Sequence, residues 1–220
     1  MPKRRSKSSK TTPAVGEDVR ERILAGAARA FGKLGYASTR VEDVLQAAKV
    51  SRPTFYKAYD GKDDVFDALS ELHHRTIRER IVRAAQTATD PATRLAATVE
   101  AFMRWRAELG PIGRVLDTVA RTPGSRLGGH RKKTLEEMSA LTGEWMRAAG
   151  RTPADTVLYY GLIAAMESVA DLLLSKHPVA PGAIERATRN ALRIVGGSLA
   201  EPGDPIPPLP PPERAPKAVG

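Results

Sequence analysis

Apolar residues recur at helical spacing from early in the chain. Ile23, Leu24, Ala27, Ala28, Phe31 and Leu34 line one helical face, and Arg20, Arg22, Arg29 and Lys33 occupy the other. The pattern predicts a helix that stops before Gly35. Thr39 followed by Glu42 reads as a capping box, opening a short helix with Val41, Val44, Leu45 and Ala48 inside and an end near Lys49. A third helix of about two turns begins within Val50-Ser51-Arg52-Pro53-Thr54. Either Ser51 caps it and takes the Thr54 amide, or Arg52 caps it with Pro53 in first position. A longer helix starts at Lys62, with Asp63 and Asp64 at its positive end and Val65, Phe66, Leu69, Leu72 and Ile77 inward. It is expected to run to about Ala88. Pro91, Pro111, Pro123, Pro153 and Pro181 each stand near the head of a further apolar-periodic stretch, predicting helices at roughly 91–108, 111–121, 124–149, 153–176 and 181–199. No segment sustains period-two alternation, so the expected fold is all-α.

Charge adds an address to this pattern. Lys and Arg number 35 against 25 Asp and Glu, a net of +10. Residues 1–62 hold 14 basic and 6 acidic side chains, a net of +8. A basic terminal block on a near-neutral body is what binding to a phosphate backbone requires, because neutralised phosphates release counterions. Lys3, Arg4, Arg5, Lys7 and Lys10 alone also fit a solubilising tail. From Glu201 onward 8 of 20 residues are proline, so an extended or disordered tail is expected there.

Other chemistry is excluded or unsupported. The chain has no cysteine, hence no disulfide, no thiolate zinc site and no cysteine nucleophile, as suits a reducing cytoplasm. The charged start runs into Ser and Thr rather than an apolar stretch, so no secretory signal is read. Val157 to Leu174 is apolar but interrupted by Tyr159, Tyr160, Glu167, Ser168 and Asp171, which suits a buried helix better than a membrane span. His73 and His74 are adjacent, and His130 and His177 stand alone, so no metal site is expected. No phosphate-cradling Gly loop and no nucleophile elbow occur, and neither catalysis nor a cofactor is expected.

Three short helices in a basic N-terminal block describe a helix-turn-helix reader of double-stranded DNA. The residues Ile23-Leu24, Ala27-Ala28, Phe31, Gly35-Tyr36, Thr39, Val41, Asp43-Val44, Ala47-Ala48, Val50-Ser51, Thr54-Phe55-Tyr56, Tyr59 and Lys62 resemble the tetracycline-repressor (TetR) family of transcriptional regulators over about residues 20–66. Lys49 stands where that family usually has Gly, and a left-handed backbone there costs Lys roughly 1 kcal/mol. Pro53 stands where Gly is common.

Resemblance and chemistry together nominate Arg52, Thr54, Tyr56 and Lys57 as groove-facing. Arg52 is the expected base reader, since a guanidinium can bond guanine O6 and N7 together. Tyr56 and Lys62 match family positions that touch phosphates, and Thr39 is expected to cap its helix and offer its backbone amide to a phosphate. Phe55 is expected in the core. The resemblance also implies a C-terminal ligand pocket, for which Phe102, Met103, Trp105, Trp145, Tyr159 and Met166 are candidates; ordinary core packing is the competing reading for each. Glu167 and Asp171, four apart on an apolar helix, each need a partner, an Arg across a dimer interface or a polar ligand group.

The domains expected are a basic arm at 1–16, a helix-turn-helix domain at 17–62, a helical ligand-binding and dimerisation domain at 63–200 and a tail at 201–220. The expected protein is a homodimeric cytoplasmic regulator, a repressor released from a palindromic operator by a mostly apolar small molecule, its interface built on the last two long helices around Leu173 and Val195. A non-sensing architectural DNA-binding dimer, and an all-α ligand carrier or enzyme, are the alternatives.

Overall fold

A computed structural model describes residues 16–88, 90–125, 127–174, 176 and 178–201. But for Gly16 and Glu201, the basic arm and the Pro-rich tail lie outside the described residues. Within them the chain is all-helical: α1 (Glu17–Leu34), α2 (Val41–Ala48), α3 (Arg52–Tyr56), α4 (Lys62–Gln86), α5 (Pro91–Leu109), α6 (Pro111–Arg121), α7 (Leu127–Ala148), α8 (Thr156–Leu174) and α9 (Ala183–Leu199).

The local signals explain most helix ends. Ser51 caps α3, its hydroxyl accepting from the Thr54 amide, so Pro53 sits in the first turn where no donor is needed. Asp90 caps α5 in the same way through Thr93. The α2 cap is Arg40, whose amide donates to the Asp43 carboxylate at 2.8 Å. This corrects the Thr39–Glu42 box: Thr39 is buried and its hydroxyl donates to the Gly35 carbonyl at 2.6 Å. Pro123, Pro153 and Pro181 lie in the turns before α7, α8 and α9. Gly124 and Gly182 take positive φ there, which delays two of those helices by two or three residues.

Two apolar cores result. The first gathers Ile23, Ala27 and Phe31 of α1, Val44 and Ala48 of α2, Phe55 of α3, and Val65, Phe66 and Leu69 of α4. Ile112 and Leu116 of α6 and Leu127 of α7 complete it. Fully burying a side chain such as Phe31 or Phe66 contributes about 1.5–3 kcal/mol. α1 and α2 cross so closely that a Cβ on Gly26 would meet the Ala48 backbone at 2.6 Å. The second core joins Ile77 of α4 to α5, α8 and α9. α4 therefore reaches from the N-terminal core to the C-terminal bundle, and α6 is tied to that bundle by the ion pairs of Asp117 with Arg106 and of Arg121 with Glu167.

α8 is long and apolar enough to cross a membrane by length and composition alone. Its two carboxylates are instead paired inside the bundle. Its outer face leaves Val157 and Leu172 exposed at 76% and 82%.

Candidate functional site

The first site is the exposed surface of α3 and the turn before it. Arg52, Tyr56 and Lys57 are exposed, Thr54 is half-buried, and Phe55 points into the core between them. The Thr54 hydroxyl lies 2.8 Å from that of Ser51. Arg52 pairs with Glu42 of α2 and stacks its guanidinium over the Tyr56 ring, 6.0 Å from its centroid. Tyr56 itself packs edge-on against Phe55. The turn is set by Lys49, at φ 54° and ψ 47°, the one non-Gly residue with positive φ among the described residues.

Lys62 occupies a different place from these. Its Nζ lies 3.1 Å from the Tyr36 carbonyl and 3.5 Å from that of Ala37, over the Tyr36 ring. It clamps the start of α4 to the turn between α1 and α2. Thr39 stands just before α2 with its hydroxyl turned inward, so only its backbone can face a phosphate.

The second site is a cavity of about 500 Å³ between α4, α5, α7, α8 and α9. Phe102, Trp105, Trp145, Tyr159 and Met166 line it, with Leu95, Met138, Leu162 and Leu199 among the aliphatic wall. Met103 does not: it is fully buried in the core behind the wall. At the end nearer the N-terminal core, Glu167 accepts from Arg131 Nη1 and Nη2 at 2.6 and 2.7 Å and from Arg121 Nη2 at 2.6 Å. One turn on, Asp171 pairs with Arg106, which also donates to Asp117 of α6 at 2.7 Å.

A sequence model described as bacterial regulatory proteins, tetR family, matches residues 23–69. The N-terminal domain belongs to the TetR family. The chain is 30% identical over 96 residues to the HTH-type transcriptional regulator HbdR of Aromatoleum sp. (strain CIB), covering 44% of this chain and 42% of that protein. It is 29% identical over 86 residues to the HTH-type transcriptional activator FasR of Mycolicibacterium smegmatis, covering 39% of each. The chain thus matches less than half the length of these curated relatives. The structure of SmeT, the repressor of the Stenotrophomonas maltophilia multidrug efflux pump SmeDEF, superposes over 89% of this chain and 100% of its own at TM-score 0.63. At 22% identity that likeness speaks for the fold.

The partners of Glu167 and Asp171 are intramolecular arginines, which corrects the expectation of an arginine across an interface. Burial raises the Glu167 carboxyl, and the hydrogen bonds and charges of Arg131 and Arg121 outweigh it, leaving the group below its ordinary range. Burial holds Asp117 above its ordinary range against the opposing pull of Arg106. Burial also lowers both imidazoles on α4: His73 falls to about 4, helped by His74, and His74 falls with His130 and Arg131 acting the same way. Arg106, Arg121, Arg131 and His74 were missed in the sequence. The only signal available was the demand that two carboxylates on an apolar helix be paired, and that names no partner. Glu42 as the holder of Arg52 was missed because helix crossing, not spacing, brings them together.

Proposed function

We propose that this chain is a DNA-binding transcriptional regulator of cytoplasmic location, a homodimer that represses from a palindromic operator and is released by a small molecule. The observation that carries the reading is the exposed α3 with Arg52, Thr54, Tyr56 and Lys57 facing outward from a domain with a net charge of +8 over residues 1–62. Arg52 reads a base edge, Thr54 meets a thymine methyl or phosphate, and Tyr56, Lys57 and the Thr39 backbone fix register. Lys62 acts on DNA through the turn it clamps, with its remaining donor capacity toward phosphate.

Two half-sites about one DNA turn apart demand two copies held together. The exposed apolar stripe of α8 with Ile194 of α9 is the surface a second copy covers. The cavity, at about 500 Å³, has the size of a small-molecule site, which favours sensing over a purely architectural role. The repressor assignment follows SmeT in kind, and FasR marks activation as the outcome to test against it.

Selection of bound duplexes from a randomised library at physiological salt tests the reading. The expected product is an inverted repeat with half-site centres about 10 base pairs apart. Recovery of sequences without any shared motif overturns it.

A further inference from the structure

Glu42 puts a carboxylate on the surface assigned to DNA. α2 and α3 hold two carboxylates between them, Glu42 and Asp43. Asp43 is occupied with capping, since it accepts from the Arg40 amide at 2.8 Å. Glu42 instead reaches from the first turn of α2 to Arg52 Nη2 in the first turn of α3. The Arg52 and Glu42 side chains are 55% and 58% exposed, so in water the pair adds little to the stability of the fold. The carboxylate also opposes the attraction that residues 1–62, at a net charge of +8, exert on phosphates. A group that lowers affinity for DNA of every sequence is useful where it rejects the wrong ones.

Arg52 is held on two sides. Glu42 takes an N–H of Nη2, and the guanidinium lies over the Tyr56 ring, 6.0 Å from its centroid. A guanidinium carries five N–H groups in a planar fork, so with one given to Glu42 both Nη1 and Nη2 still have one to donate. The carboxylate beside Nη2 keeps free lone pairs. Read across, the pair presents donor, donor, acceptor. In the major groove a G·C pair presents guanine N7 and O6 as acceptors and then the cytosine N4 amino group as donor. The two sets are complementary. Each of the orders A·T, T·A and C·G sets an amino group against the guanidinium and an acceptor against the carboxylate.

We infer that Glu42 and Arg52 form one reader of a G·C base pair, Arg52 donating to guanine N7 and O6 while Glu42 accepts from cytosine N4 on the opposite strand. This rests on the reading of α3 as the helix that enters the groove. It adds a base-contacting residue on α2 and fixes the identity and strand of the bases read.

The full chain, Arg52→Ala and Glu42→Ala are each taken through selection from the randomised duplex library. The wild type is expected to select a G·C pair in each half-site whose preference falls in both variants. That pair is then altered one group at a time in the selected duplex. 7-Deazaguanine removes the N7 acceptor, and 2-pyrimidinone in place of cytosine removes the amino group. The 2-pyrimidinone duplex is expected to bind the wild type about tenfold more weakly and to leave Glu42→Ala nearly unchanged. The 7-deazaguanine duplex is expected to weaken the wild type and Glu42→Ala alike while sparing Arg52→Ala. Glu42→Ala is also expected to bind random duplex more tightly. No loss of wild-type affinity on the 2-pyrimidinone duplex, equal losses there in the wild type and Glu42→Ala, or a selected motif that Arg52→Ala changes and Glu42→Ala does not, overturns the paired reader and leaves sequence-specific binding by α3 standing. Selection without any shared motif overturns both.

Discussion

Arg121 Nη2 on α6 stands 2.6 Å from Glu167 Oε2 on α8, so a carboxylate in the cavity wall is bonded to a helix whose other end belongs to the DNA-binding core. α6 enters that core through Ile112 and Leu116, and the backbone at Ile112 comes so close to α1 that a Cβ on Gly32 would lie 3.2 Å from its nitrogen. A molecule that displaces Glu167 therefore pulls on α6 and, through it, on α1. α4 carries a second route, since it is continuous from Lys62 to Gln86. Arg121→Ala separates the two. Arg121 is nearly half exposed and Glu167 keeps both bonds from Arg131, so stability is expected to change by about 1 kcal/mol or less. The coupling between a cavity-bound small molecule that displaces Glu167 and operator, expected at about 1–3 kcal/mol in the wild type, shrinks in the variant. Titrations of each partner with and without the other measure it. Unchanged coupling assigns the transmission to α4. Arg131→Ala strips a buried carboxylate of its bidentate partner and is expected to cost about 3–5 kcal/mol.

Arg52 and Lys57 are expected to fail in different ways on DNA. Arg52→Ala costs about 1–3 kcal/mol on the selected operator and relaxes preference at one position per half-site. Lys57→Ala weakens all sequences alike and lowers the salt slope by about one. Glu42→Gln removes the carboxylate that holds Arg52, raising non-specific affinity while narrowing the gap between operator and random DNA. Fluorescence anisotropy on both duplexes at several salt concentrations reads all three. Equal losses on both duplexes in Arg52→Ala remove it as a base reader.

The all-α fold was legible because its helices announce themselves twice, by apolar period and by Pro, Gly and cap residues at their ends. The start of α3 was legible to within one residue, since Pro53 left Ser51 and Arg52 as its possible caps, and the structure chooses Ser51. What escaped was whatever tertiary crossing decides. Thr39 has the composition of a cap, yet the turn after Gly35 buries it and gives its hydroxyl a backbone partner. Met103 shares a helix with Phe102 and Trp105 but points behind the cavity wall. Likewise Leu173 is partly buried against the bundle core and Val195 is buried, whereas their neighbours Leu172 and Ile194 are the exposed ones. A stripe apolar on all sides does not reveal which residue faces out.

Lys49→Gly is expected to stabilise the fold by about 1 kcal/mol, because the left-handed backbone at φ 54° disfavours any side chain with a Cβ. Gly26→Ala is expected to act oppositely, since its new methyl group meets the Ala48 backbone and must push α1 from α2. A loss of about 1–3 kcal/mol in urea unfolding is the expected reading. A stable Gly26→Ala variant with unaltered DNA binding contradicts the close crossing.

The dimer surface is tested at Leu172, which is 82% exposed and touches nothing the monomer needs. Leu172→Lys is expected to leave monomer folding intact while shifting sedimentation to the monomer at micromolar concentration, with operator binding lost. Val195→Lys buries a cation beside the cavity and is expected to unfold the bundle instead, so it reports on the core rather than on association. A dimer that survives Leu172→Lys and a second change at Val157 places the interface elsewhere.

The last expectation concerns pH. Burial, with His74 adding to it, lowers the folded His73 pKa from 6.5 to about 4. Between those values the unfolded chain binds a proton that the folded chain refuses, so stability falls as pH drops through 6.5 and the loss is complete near 4. Over the full window the effect is on the order of 3 kcal/mol, and from pH 7 to 5 about 2 kcal/mol, or roughly 4–8 °C in Tm for a chain of this size. His74 is shifted in the same direction and adds to the slope. His73→Leu keeps the site apolar, cannot be protonated, and is expected to remove most of that Tm decline, leaving the His74 part. Thermal melts at pH 7, 6 and 5 decide it: a decline in His73→Leu equal to that of the wild type means that another group titrates, and Glu167 is not that group, because its lowered pKa places its loss of charge at more acidic pH.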